Sequence, residues 1–158
     1  MTSILDTYNP SILAIPAYYI LSIVPHSLAI NVASQGKLGA WDNRNPRSTD
    51  MKARLKQRLP GEVYAKYERL EACHANGMEN LPLFASAVIL GNLAGLKKDD
   101  LTTFVASFLA VRIAYTVAYI TTKTQGPTFI RSGLWAAGMS LCFRTIIQAA
   151  KALGGTRI

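Results

Sequence analysis

Charge is scarce in this 158-residue chain, and acid is scarcest: 9 Asp and Glu stand against 17 Lys and Arg, and charged residues make up only 16% of the sequence. A water-soluble domain of this size needs about 25% to cover its exterior. With 50% of the chain hydrophobic and a mean hydropathy of +0.19, the shortfall points to lipid as part of the solvent. Cysteine is nearly absent too, and Cys73 and Cys142 are too far apart to announce a disulfide framework or a metal site. His26 and His74 lack ligand spacing, so no metal is expected. No basic residue precedes the first apolar stretch and Asp6 lies inside it, so a cleaved secretory signal is not expected. Internal repeats and low-complexity segments are likewise missing.

The bases that are present come in blocks. Residues 36–61 hold Lys37, Arg44, Arg47, Lys52, Arg54, Lys56 and Arg58 against Asp42 and Asp50. A nucleic-acid surface also concentrates bases, but it would leave half the chain as unexplained apolar surface, so no nucleic-acid partner is expected.

Residues 12–33 carry no formal charge over 22 positions. As a helix they rise about 33 Å, enough to cross a hydrocarbon core of about 30 Å. Pro16 and Pro25 interrupt the run, which a bundled membrane helix tolerates as a kink. Residues 62–80 mix Val63, Tyr64, Tyr67 and Leu70 with charges in a helical pattern, and residues 81–96 carry no charge. Joined, 62–96 make one helix of about 35 residues whose first turns stand in water, with about 75–96 immersed. Lys97-Lys98-Asp99-Asp100 reads as the polar turn that ends it. Residues 101–122 form a third span, apolar but for Arg112, and 132–150 a fourth, apolar but for Arg144, with Gly126-Pro127 in the linker. The expectation is one domain over residues 1–158, an all-α integral membrane four-helix bundle running up-down-up-down.

Bases near span ends set the orientation. The segment 36–61, together with Lys123 and Arg131, places the basic loop in the cytosol and both termini opposite, with Lys151 and Arg157 pulling weakly the other way.

A charge inside a span costs at least about 2 to 3 kcal/mol, so Glu79, Arg112 and Arg144 each need a partner or a wet cavity. Glu79 and Arg112 are expected to pair. Arg69, Ala72, Cys73, Asn76, Glu79 and Leu83 fall on one face of the second long helix, and Arg112, Tyr115 and Tyr119 on one face of the next. Measured from the turn at 97–100, Tyr119 lies about 27 Å along its helix and Glu79 about 25 Å along its own, so the stripes can face each other. Arg131 and Ser132 begin the fourth helix at the same depth. Such a set suits a small zwitterionic or anionic ligand held by charge-assisted hydrogen bonds. The plainer alternative is that Glu79 and Arg112 only pair while the tyrosines sit in an interfacial aromatic belt. His74, rotated about 140° from Glu79, is expected to touch another helix or subunit. Cys73, on the polar stripe, has the chemistry of a nucleophile, but a lone small residue there is more often packing, and Met51, Met78, Met139 and the tryptophans read as packing or interface residues.

The stretch Arg69-Leu-Glu-Ala-Cys-His74-Ala-Asn76-Gly-Met-Glu79-Asn80-Leu-Pro82-Leu-Phe84 resembles the signature of the MAPEG family, the membrane-associated proteins of eicosanoid and glutathione metabolism. Arg112-Ile-Ala-Tyr-Thr-Val-Ala-Tyr119 and Ile130-Arg131-Ser132 resemble the third- and fourth-helix motifs of its microsomal prostaglandin E synthase and glutathione transferase branch. The resemblance covers essentially the whole chain.

It implies a homotrimer in the endoplasmic reticulum or a related membrane, with glutathione as co-substrate bound between subunits near the cytosolic face. The implied binding residues are Arg69, Asn76, Glu79, Arg112, Tyr115, Tyr119 and Arg131. Asn76 and Glu79 would hold the glutathione backbone, Arg112 would pair with Glu79, and Tyr119 would hydrogen-bond the peptide. Tyr119, Arg131 and Ser132 are the implied catalytic residues, with Arg131 and Ser132 nearest the sulfur, where a fixed cation favours thiolate over thiol. Ala72 and Ala75 stand where the best-studied glutathione-dependent members carry arginine, Tyr115 where the prostaglandin synthase has histidine, and the linker from Tyr119 to Arg131 is about three residues longer than theirs. The expected function is a glutathione transferase or peroxidase for small lipophilic electrophiles. The alternatives are a glutathione-independent isomerase or cyclase of a lipophilic metabolite, and a non-enzymatic lipid-binding scaffold.

Overall fold

The computed structural model describes residues 8–126 and 128–155. The readings placed on Met1 to Asp6, on Pro127 and on Arg157 lie outside the described residues. Five α-helices form, with no strand among the described residues: α1 (Pro10–Ala33), α2 (Thr49–Arg58), α3 (Gly61–Leu93), α4 (Lys98–Thr121) and α5 (Thr128–Gly155). A turn of 3-10 helix spans Leu38–Ala40.

α1 starts two residues before the apolar run because Asn9 caps it, its side-chain oxygen accepting from the Ser11 and Ile12 amides at 3.0 and 3.4 Å. α3 stops at Leu93 because Gly95 adopts a φ of +67°, which brings the Leu96 amide to the Gly91 carbonyl at 3.0 Å. The chain reversal therefore falls before Lys98, and the expected polar turn is corrected: Lys98, Asp99 and Asp100 form the first turn of α4, where acids complement the helix dipole.

The segment 36–61 is also more ordered than a loop. Ser48 caps α2 by accepting from the Met51 amide at 3.1 Å, Asp50 lies in its first turn and Lys56 and Arg58 in its last. Met51 and Leu55, one helical turn apart, are buried with Leu59 against Ala29, Ala33, Tyr64, Tyr67 and Leu70. α2 thus closes one end of the assembly over the C-terminus of α1 and the start of α3.

Successive long helices run antiparallel. Tyr18 of α1 meets Gly77 of α3, and nearer the α1 start Ser11 meets Asn92. Phe84 of α3 stacks on Phe108 of α4 with ring centroids 4.1 Å apart, and Tyr18 stands edge-on to both rings. This aromatic trio forms the central core with Val88, Phe104, Val105 and Cys142. α1 and α3 pass close at Gly77, where a Cβ would lie 2.8 Å from both Cβ and Oγ of Ser22.

α1 and α4 are long and apolar enough to cross a bilayer, each with a mean hydropathy of 1.6. Only 28% of each apolar window is buried, unlike the core helix of a water-soluble protein. Ile20 is 64% exposed and Val117 55%. α3, with Asn76, Glu79, Asn80 and Asn92, and α5, with Arg144 and Gln148, are more polar and do not meet the same standard.

Candidate functional site

Arg112 is the centre of the polar interior. It sits on α4 among apolar neighbours, is 3% exposed, and donates from Nη2 to Asn76 Oδ1 of α3 at 3.1 Å. Asn76 is fixed in turn, because Asn80 Nδ2 donates to its backbone carbonyl at 2.8 Å. The Arg112 guanidinium also lies 4.4 Å from the centroid of the Tyr115 ring and 5.5 Å from that of Tyr18, so aromatic faces replace part of its hydration. Its Nε is buried without a hydrogen-bond partner among the described residues.

From Arg112 the site continues along α4. Tyr115 is buried, its ring centroid is 5.4 Å from that of Tyr119, and the Arg131 guanidinium of α5 lies 4.2 Å over the Tyr119 ring. Two cations are therefore linked through two phenol rings tilted 58° to each other, because positions 112, 115 and 119 share a helix face and α5 returns Arg131 to the end of that stripe. Ser132 is exposed and its Oγ donates to the Thr128 carbonyl at 3.4 Å, one turn back.

Two of the seven candidate binding residues stand apart. Glu79 is exposed and makes no ion pair among the described residues, so the expected Glu79–Arg112 pair is replaced by Asn76–Arg112. Three residues of helix turn Glu79 about 60° away from Asn76, which carries it off the α4-facing side. Arg69 lies beyond the cluster, where it lines a groove of about 610 Å³ with Lys66, Glu62 and Lys123. Its Nε is buried and lacks a partner among the described residues.

Tyr18 and Asn80 belong to the Arg112 surroundings and were not foreseen, since a tyrosine in an apolar run has no spacing of its own. Nor was the pair on the opposite side of α3, where His26 Nδ1 lies 2.7 Å from Glu71 Oε1 and its ring stacks on His74 at 4.9 Å. His74 Nδ1 is 2.8 Å from the Ser22 carbonyl, which makes His74 a contact between α1 and α3. Cys73 is buried. Among the described residues no group of three or more His, Cys, Asp or Glu is placed to hold a metal ion.

Between α1 and α2, Asp42 and Arg44 form a two-pronged pair, Arg44 Nε and Nη2 each donating to a carboxylate oxygen at 3.0 Å. The Arg44 side chain, helped by its backbone amide, lowers the Asp42 pKa from 3.8 to about 2.

The arrangement offers an anionic or zwitterionic ligand two held cations, an oriented amide and phenolic hydroxyls, in the setting of apolar helices. A model of the MAPEG family matches residues 12–151, and the chain belongs to that family. No curated protein and no solved structure matches it.

Proposed function

We propose that this protein is a membrane-bound glutathione-dependent transferase or peroxidase acting on small lipophilic electrophiles, closest to the microsomal glutathione transferase and prostaglandin E synthase branch. The observation that carries the reading is the line Asn76, Arg112, Tyr115, Tyr119, Arg131, built into a chain of the MAPEG family. Glutathione bears two carboxylates, an ammonium and a thiol. The unpartnered, buried Nε of Arg112 has the donor chemistry for a carboxylate, and the exposed Glu79 has the charge for the ammonium. Arg131, held over Tyr119 at the first turn of α5, favours the thiolate by its fixed charge, and Ser132 has a hydroxyl to donate to it.

The reading includes four crossings in up-down-up-down order, with residues 12–33, 75–96, 101–122 and 132–150 immersed. The basic segment 36–61 faces the cytosol, both termini lie opposite, and the membrane is the endoplasmic reticulum. It also includes a homotrimer. Glu79, Ala72 and Ala75 share the exposed face of α3, and a carboxylate at that depth calls for the cover of a neighbouring subunit.

The same face favours a second reading. With small Ala72 and Ala75 beside Glu79, and Glu79 outside the Arg112 cluster, the chain offers less positive charge to glutathione than a glutathione enzyme of the family would. A glutathione-independent isomerase or cyclase, or a lipid-binding scaffold, fits that surface. Titrating glutathione into the purified protein separates these readings. Saturable ultraviolet absorbance of the thiolate, with a rise in thermal stability, is the expected result. Stabilisation without thiolate leaves a binding role, and no response at millimolar glutathione overturns the glutathione reading.

A further inference from the structure

Arg144 is a second cation in an apolar helix, and it has no partner among the described residues. Gly138 packs against Phe108, and α4 and α5 run antiparallel, so Arg144, six residues further along, lies level with about residue 102 of α4, roughly 6 Å from that helix's start. On the four-crossing reading, this is the edge of the hydrocarbon layer at the end of the assembly away from Arg131. The side chain is exposed and makes no ion pair or hydrogen bond among the described residues.

Arg144 opens onto a cleft of about 190 Å³ between α4 and α5, shared with Asp100, Thr103, Ser107 and Gln148. None of these side chains makes a hydrogen bond among the described residues either. Thr145, which also lines the cleft, instead bonds the Leu141 carbonyl one turn back at 3.1 Å. Free hydroxyls, a free amide and a free guanidinium therefore converge on one cleft. Phe104 and Leu141 give it an apolar wall.

We propose that this cleft holds the headgroup of a zwitterionic phospholipid bearing a primary ammonium, the chemistry of phosphatidylethanolamine. The phosphate sits on Arg144 and Ser107, and the ammonium on Asp100, with Gln148 one turn nearer the water than Arg144. The charges carry the assignment: one cation and one carboxylate share the cleft, with Asp100 in the first turn of α4, at its water end, and Ser107 seven residues, about 10 Å, deeper. A lipid presents phosphate inward and ammonium outward, the same order. Phe104 and Leu141 meet the glycerol and the first acyl carbons. A primary ammonium donates hydrogen bonds to a carboxylate, whereas a trimethylated one cannot.

The inference rests on α4 being embedded in a bilayer. Full-length protein is reconstituted into nanodiscs containing equal dioleoyl phosphatidylethanolamine and dioleoyl phosphatidylcholine, and retained lipid is counted by native mass spectrometry. The wild type is expected to retain phosphatidylethanolamine about tenfold over phosphatidylcholine, and Arg144→Gln to retain both at least tenfold less. Asp100→Asn, at an exposed position in a first turn, is expected to fold and to lose the preference while still retaining phosphatidylcholine. Equal retention of the two lipids by the wild type, or an unchanged preference in Asp100→Asn, overturns the proposal. So does displacement of lipid by millimolar inorganic phosphate, which would make the cleft a free-phosphate site. Failure of the wild type to enter nanodiscs overturns the bilayer reading on which the proposal rests, and is distinguished from loss of selectivity by that step alone.

Discussion

Arg112 Nη2 donates to Asn76 Oδ1 at 3.1 Å, and this single bond ties α4 to α3 at the level where the polar interior begins. Asn76→Ala removes the acceptor and leaves a guanidinium, 3% exposed, with aromatic faces alone. The expected loss of stability is about 1 to 3 kcal/mol, measured by denaturant unfolding in detergent. An unchanged midpoint would mean that Arg112 is satisfied by something other than Asn76.

Glu79 behaves differently because it is exposed and takes no part in that bond. Glu79→Gln is expected to change stability by no more than about 0.5 kcal/mol. Glutathione affinity, read by calorimetry, should fall roughly tenfold once the ammonium loses its carboxylate. A large drop in stability with no change in affinity would return Glu79 to a structural pair.

The approach of α1 to α3 at Gly77 leaves no room for a side chain. Gly77→Ala pushes a methyl into Ser22, whose Cβ and Oγ lie 2.8 Å from the added atom's position. A cost of about 1 to 3 kcal/mol is expected. Combining it with Ser22→Gly should recover part of that loss, and a double variant no more stable than Gly77→Ala would place the strain elsewhere.

Asp42 supplies a pH test outside the spans. Its folded pKa lies below the unfolded one, about 2 against 3.8, because Arg44 donates to the charged carboxylate. The pair's contribution is thus present above pH 3.8 and disappears as pH falls towards 2. Carboxyl titration by NMR should show Asp42 near 2 in the wild type and higher in Arg44→Gln, where the amide of residue 44 remains to hold it below 3.8. The same value in both proteins would exclude Arg44 as the cause.

How much of this was legible in the sequence depends on the kind of information each feature requires. Long apolar runs announce themselves, so the helices at 12–33 and 101–122 were readable from charge depletion alone. α2 was not, because its apolar content is the pair Met51 and Leu55 in a basic segment; the Ser48 cap and the stop at Pro60 were the available signals. Depth along a helix follows from counting, and it put Tyr119 near Arg131. Angle around the helix decides partners, and there depth misled: Glu79 and Arg112 were matched on rise, while a 60° rotation gives Asn76 to Arg112 instead. Arg69 fell with Asn76 on the face pattern, yet the long α3 carries it towards Lys66 and Lys123.

The most direct test of the glutathione reading is the ultraviolet thiolate signal of glutathione bound to Arg131→Leu. Arg131 is half-buried in the first turn of α5 and touches the Tyr119 ring, so its loss should leave the fold standing. If the cation lowers the thiol pKa by about two units, glutathione should still bind, the thiolate signal should vanish at neutral pH, and turnover of a lipophilic electrophile should fall on the order of a hundredfold. An Arg131→Leu protein with an undiminished thiolate signal and unchanged turnover would contradict the account.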